Sequence, residues 1–127
     1  MKNAIGIDIV EIKRLQKVSK RWGSPFLNKV YTKRELGYAN QKRFPYQHLA
    51  ARFAAKEAIF KALGEVETDF VGWKNVEILN DDNGKPVVYW HGDAEKSRKK
   101  RGIHSVVVSL SHTENYAVAS AMLIFKK

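Results

Sequence analysis

The chain has no cysteine, which excludes disulfides and thiolate metal sites. Its four histidines, His48, His91, His104 and His112, are too scattered for a zinc spacing, so any metal is expected to be hard and oxygen-liganded. No run approaches the roughly 18 apolar residues of a membrane span. Residues 1–6 lead straight into a strand pattern rather than a signal peptide, so a cytoplasmic protein with no membrane partner is expected. Internal repeats and low-complexity linkers are missing too. Acidic residues are scarce: 13 Asp and Glu stand against 23 Lys and Arg, a net charge of +10 that should attract a polyanion. Charge alone does not choose among nucleic acid, anionic membrane, acidic protein and phosphorylated cofactor. With 127 residues, 44% of them hydrophobic, the chain has room for one domain (1–127) with a modest core.

Residues 52–64, RFAAKEAIFKALG, read as the organising element, a buried helix carrying a functional carboxylate. At about 100° per residue from Leu49, one broad arc holds Leu49, Phe53, Ile59, Phe60 and Leu63, and the opposite side holds Ala51, Ala54, Ala58 and Ala62. Both faces are expected to pack, the alanine side letting another backbone come close, and Gly64 to end the helix. Glu57 falls at the edge of the large arc, one turn before Lys61, so carboxylate and ammonium share a face. On an exposed helix that is an ordinary ion pair. Here hardly any solvated stripe exists, and a charge in apolar surroundings must be paired, bound to a metal or set against a charged ligand.

Residues 4–10 alternate, with Ile5, Ile7 and Ile9 on one face of a strand and Gly6, Asp8 and Val10 on the other. The ordinary explanation of Asp8 is an edge-strand charge facing water; Gly6 beside it points to open space where a ligand can approach. From Glu11 the period turns helical, with Ile12, Leu15, Val18 and Trp22 on one side and Lys13, Arg14, Lys17, Lys20 and Arg21 around the other, a basic docking surface. A short helical turn follows at 26–31, and Thr32-Lys33-Arg34-Glu35 fits a capping box opening a helix to about Lys42. Phe44-Pro45 breaks it and starts the central helix. The acidic residues 65–69 read as a loop, and 76–79 and 87–90 flank the 80–86 turn as a hairpin. That turn lacks the ligand spacing of a calcium loop. Residues 93–101 read as a basic, poorly patterned helix or loop, and 103–110 and 116–125 as two strands joined by 111–115. Strands at the start, middle and end with helices between them argue for an α+β single domain, a mainly antiparallel sheet packed against the long buried helix.

Together, Gly6-Ile7-Asp8-Ile9, the helix from Phe53 through Lys56-Glu57 to Gly64, Asn83-Gly84-Lys85-Pro86 and Ser109-Leu110-Ser111-His112-Thr113 resemble one family in order and spacing over nearly the whole chain. The chain is similar to bacterial holo-[acyl-carrier-protein] synthases, the small type of 4′-phosphopantetheinyl transferase. The resemblance implies an enzyme that moves the phosphopantetheine arm of coenzyme A onto a serine of apo acyl carrier protein, releases adenosine 3′,5′-bisphosphate and serves fatty acid biosynthesis. It also implies Mg2+ and a homotrimer with interfacial active sites. By position, Asp8 and Glu57 would be the magnesium ligands, and Lys61, catalytic with them, would contact the phosphates. Arg52, Asn83, Gly84, Lys85, Pro86, Ser109 and His112 would hold coenzyme A, and Arg14, with Lys13, Lys17 and Arg21 of its helix, would dock the acidic carrier protein. Magnesium usually takes one or two carboxylates and leaves other positions to water and phosphate, which fits such a pair. Glu57, or a water it holds, is the first candidate for removing the serine proton.

The chain departs from the family pattern at three points. Val107 stands where many relatives have a histidine, and His104, at an odd offset from it, should point to the other sheet face. Phe60 replaces a small or polar residue, and the stretch after Gly64 is acidic rather than glycine-rich. Two other classes compete: a basic nucleic-acid-binding module using Trp22, Tyr31, Tyr38, Phe44 and Tyr46, and a magnesium-dependent phosphohydrolase using the same carboxylates. The first does not explain one acid in a strand and another in a buried helix, and no nucleic-acid partner is expected.

Overall fold

The computed structural model describes residues 3–64 and 72–127; the acidic stretch 65–69 lies outside the described residues. Strand β1 (Asn3–Glu11) is followed by helices α1 (Ile12–Trp22), α2 (Ser24–Val30), α3 (Lys33–Asn40) and α4 (Pro45–Leu63). Then come β2 (Val76–Asn80), β3 (Pro86–Trp90), α5 (Gly92–Arg101), β4 (Ile103–His112) and β5 (Tyr116–Phe125). All strand pairing is antiparallel among the described residues: a three-stranded sheet in the order β1-β5-β4 and the separate β2-β3 hairpin. The fold is α+β, with the three-stranded sheet packed on α4.

Helix α4 is buried on nearly all sides from Leu49 to Leu63, as its apolar arc and alanine face require. Pro45 stands in its first turn, and Gly64 stops it with φ +79°, a conformation that strains any residue with a Cβ. On the alanine side β1 comes so close that a Cβ built on Gly6 would run into the Ala58 carbonyl oxygen. The space beside Gly6 is therefore filled by helix backbone and is not open to a ligand. Lacking a side chain there serves packing, the other reason strands carry glycine.

Sheet polarity follows from this contact. Gly6, Asp8 and Val10 face α4, while Ile5, Ile7 and Ile9 stand 62–73% exposed. The register continues the outer face across the sheet: Ile5 pairs with Met122, which pairs with Val107, and Ile9 pairs with Val118. At His104 a bulge between Ile103 and Ser105 interrupts the alternation, so His104 is exposed rather than turned to the helix-facing side.

The capping box forms as read, with Glu35 N–H donating to Thr32 Oγ1 and Thr32 N–H to Glu35 Oε1, but α3 stops at Asn40. Residues 92–101 are helical, closed by Gly102 in the left-handed region. On α1, Ile12 and Leu15 are buried as expected, whereas Trp22 is exposed with the Arg21 guanidinium 5.2 Å from its ring centre. The helix ends at that residue.

Of the buried charges Glu35, Arg52, Lys56 and Glu77, only Arg52 has a functional role read from the sequence. Lys56, on α4, donates to Glu35 Oε1 (2.8 Å), Val30 O (2.9 Å) and Trp73 O (2.8 Å). Glu35 also accepts from the Ile78 N–H (2.9 Å), so one buried ion pair ties α3, α4 and β2 together. Burial pushes the Lys56 ammonium below its usual value, and Glu35 pulls it back. Buried Glu77 is pushed up by desolvation, yet hydrogen bonds from Arg34, Thr32 and His91 prevail and hold it at about 2.

Candidate active site

Two clefts collect the residues named from sequence. The first, of about 530 Å³, lies between β1, α1 and α4 and is lined by Asp8, Glu11, Arg14, Phe26, Phe53, Glu57 and Tyr116. Asp8 reaches it because the strand pleat turns residue 8 to the same side as Gly6 and Val10. Its carboxylate accepts from Lys61 Nζ at 2.9 Å, and the same ammonium donates to Ile7 O at 3.2 Å. Lys61 thus reaches across to the strand instead of pairing with Glu57 along its own helix. Glu57 is half-buried, and burial first and the Asp8 charge second raise its carboxyl above the usual range, Lys61 pulling it part of the way back.

A small hard cation fits this donor set. Two carboxylates face one cleft, the charge on one raises the proton affinity of the other, and an ammonium already neutralises Asp8. Among the described residues no group of three or more Asp, Glu or His forms a closed cage, so any ion there would draw its remaining ligands from water or substrate. Phe60 does not line the cleft; it is buried edge-on to Trp73, ring centres 5.3 Å apart.

All four docking candidates, Lys13, Arg14, Lys17 and Arg21, are exposed on α1. Arg14 lines the carboxylate cleft, and Lys13 lines a groove with Arg43 and Phe44.

The second cleft, of about 430 Å³, brings together Arg52, Gly84, Lys85, Pro86, Ser109 and His112 from α4, the hairpin turn and β4. Asn83 does not line it; its N–H donates to Asp81 Oδ1 within the turn (2.9 Å). Sequence reasoning missed Tyr38, His48 and Asn80 in this wall. The His48 ring meets Tyr38 and His112 edge-on, at 5.7 and 5.9 Å between centres. Burial, then Arg52, His112 and Lys42, pull His48 below its usual value. A signal for His48 existed, since it stands one helical turn before Arg52; Tyr38 carried none. Asp8, Glu57 and Lys61 line no part of this second cleft.

The sequence profile of the 4′-phosphopantetheinyl transferase superfamily matches residues 4–121. The chain is 43% identical over 121 residues to the holo-[acyl-carrier-protein] synthase of Halothermothrix orenii, covering 94% of each. Among solved structures, the holo-[acyl-carrier-protein] synthase of Neisseria meningitidis superposes with a TM-score of 0.88 at 35% identity, covering 95% of this chain and 97% of that one. The ACPS–CoA complex of Chronobacterium ammoniagenes gives 0.88 at 29% identity, covering 100% of both.

Proposed function

The chain belongs to the 4′-phosphopantetheinyl transferase superfamily, and we propose that it carries out the reaction of a holo-[acyl-carrier-protein] synthase. The phosphopantetheine arm of coenzyme A passes to a serine of apo acyl carrier protein, and adenosine 3′,5′-bisphosphate leaves. The observation that carries this reading is the meeting of Asp8, Glu57 and Arg14 in one cleft, with Lys61 on Asp8. Neither alternative keeps its support: a nucleic-acid module leaves the carboxylate cleft unexplained, and a phosphohydrolase leaves the carrier-docking helix without a purpose.

Asp8 and Glu57 are the proposed magnesium ligands. Bound there, the ion would supply positive charge to the pyrophosphate as the phosphoryl group transfers. Lys61 is the second cation of the site, free to leave Asp8 for a phosphate oxygen because its side chain is half exposed. Glu57, or a water it holds, is the proposed acceptor of the serine proton. Arg14 at the cleft rim, with Lys13, Lys17 and Arg21, receives the acidic carrier protein. The second cleft holds the nucleotide end of coenzyme A between Lys85, Pro86, Ser109 and His112, over a floor that includes Arg52.

Because these clefts are separate in one chain, the reaction calls for a neighbouring subunit, and a homotrimer with sites at its boundaries meets that need. The exposed stripe of Ile5, Ile7, Ile9 and Val107 supports such an assembly, since a monomer gains nothing from leaving it in water. The same reading puts the enzyme in the cytoplasm, serving fatty acid biosynthesis. The test is to incubate the protein with coenzyme A, magnesium and apo carrier protein and weigh the carrier for a phosphopantetheine arm. Asp8→Asn and Glu57→Gln should each lower kcat by about a hundredfold or more while the fold survives. Near-normal transfer by either variant at saturating magnesium sinks the metal assignment.

A further inference from the structure

We propose that Arg52 is a positioning residue for the nucleotide end of coenzyme A, acting through Asn80 on the 80–86 turn rather than by its own contact with the ligand. The inference rests on the reading that the second cleft binds that nucleotide.

Arg52 borders the cleft but is only 2% exposed, so it offers a ligand almost no surface. The Tyr38 ring covers its guanidinium, 4.2 Å from the ring centre. Below, Nε donates to Ile78 O at 3.1 Å and Nη2 donates to Asn80 Oδ1. Among the described residues it forms no ion pair with a carboxylate. A buried charge held this way is tolerated only if its donors are used. The use made here is directional: the planar fork fixes the Asn80 amide with its oxygen toward Arg52. The amide nitrogen then points the other way and donates to Gly84 O at 2.9 Å. Asp81 completes the turn, its Oδ1 accepting the Asn83 and Lys85 N–H groups at 2.9 Å each. Arg52 to Asn80 to Gly84 is therefore a relay from the buried helix to the backbone that presents Lys85 and Pro86. A lysine at 52 would keep the charge but not the fork.

The experiment measures binding of adenosine 3′,5′-bisphosphate to the full-length protein by calorimetry, together with KM for coenzyme A and kcat. Asn80→Asp keeps an acceptor for Arg52 and deletes the donor to Gly84; Arg52→Lys breaks the relay at its origin. Each should weaken binding and raise KM about tenfold, the value of one lost oriented hydrogen bond, with kcat at saturating coenzyme A changed less than about twofold because the carboxylate cleft is elsewhere. The double variant should be no more than about twofold worse than either single one. Independent losses multiplying to about a hundredfold would overturn the relay. Asn80→Asp stands as the test by itself if Arg52→Lys does not fold: unchanged affinity in that variant also overturns it. Wild-type protein that binds no adenosine 3′,5′-bisphosphate removes the underlying reading of the cleft, and this inference with it.

Discussion

Lys61 Nζ lies 2.9 Å from Asp8 Oδ1, on the neighbouring strand, while Glu57, one turn earlier on Lys61's own helix, has no hydrogen-bonded partner among the described residues. The two acids of the cleft are thus unequal. Asp8 has a counter-ion; Glu57 has burial and a like charge beside it.

That inequality fixes a sign. A carboxyl raised by folding contributes stability that is fully present below its ordinary value and is lost as pH rises through the raised one. Wild-type protein should therefore lose stability relative to Glu57→Gln between weakly acidic and neutral pH. Melting curves should show the variant more stable by a few degrees at about pH 7 and level with wild type at about pH 4. A variant that melts lower at neutral pH would mean that Glu57 is held by partners, not tolerated for function.

The separation of the clefts predicts complementation. An Asp8→Asn protein keeps an intact nucleotide cleft, and an Asn80→Asp protein keeps intact carboxylates. Mixed under conditions of subunit exchange and assayed at low coenzyme A, they should show more activity than the mean of the two alone. Light scattering that gives the mass of one chain would rule this out.

The basic first helix predicts an asymmetric charge effect. Arg14→Glu should raise KM for the carrier protein about tenfold or more and leave KM for coenzyme A nearly unchanged, and the wild-type carrier KM should climb with salt. Lys99→Glu or Lys100→Glu, on α5, changes the net charge equally and should do less. Equal losses from the distal variants would reduce the effect to overall charge.

The buried pair predicts a large stability loss without a direct role in chemistry. Lys56→Met strands the Glu35 carboxylate among apolar groups and should cost about 3–5 kcal/mol, read by urea unfolding. Adding Glu35→Gln should recover part of that loss, although Glu35 also serves the Thr32 and Ile78 N–H groups. A double variant worse than Lys56→Met would show that those backbone bonds outweigh the ion pair.

Much of the fold was legible because local rules and packing agreed. The α4 arc, its Pro45 start and Gly64 stop, the capping box at Thr32 and the hairpin about residues 80–86 stand where periodicity and turn chemistry put them. Three things were not legible for physical reasons. Alternation in β1 gave two faces without saying which met the helix, and the small face won because backbone-to-backbone packing at Gly6 excludes large side chains. Partner choice among charges is tertiary, so Lys61 found Asp8 across 53 residues instead of Glu57 across four. Tyr38 joined the second cleft through a contact with His48 that no sequence spacing announces. Of the residues carried over for coenzyme A, Arg52, Gly84, Lys85, Pro86, Ser109 and His112 line one cleft, whereas Asn83, in the same turn as Gly84 and Lys85, spends its N–H on Asp81.

The contact between Gly6 and the Ala58 carbonyl has a consequence for how this protein tolerates change. Asp8 lies two residues beyond that point on the strand, and Glu57 immediately precedes it on the helix. The offset between the carboxylates is therefore gauged by two main chains in touch, which do not compress or repack as side chains do. Substitutions at Ile59, Leu63 or Leu123 can drain stability while the gauge stays true, so the core is free to drift in sequence. A single methyl group at residue 6 has no such freedom.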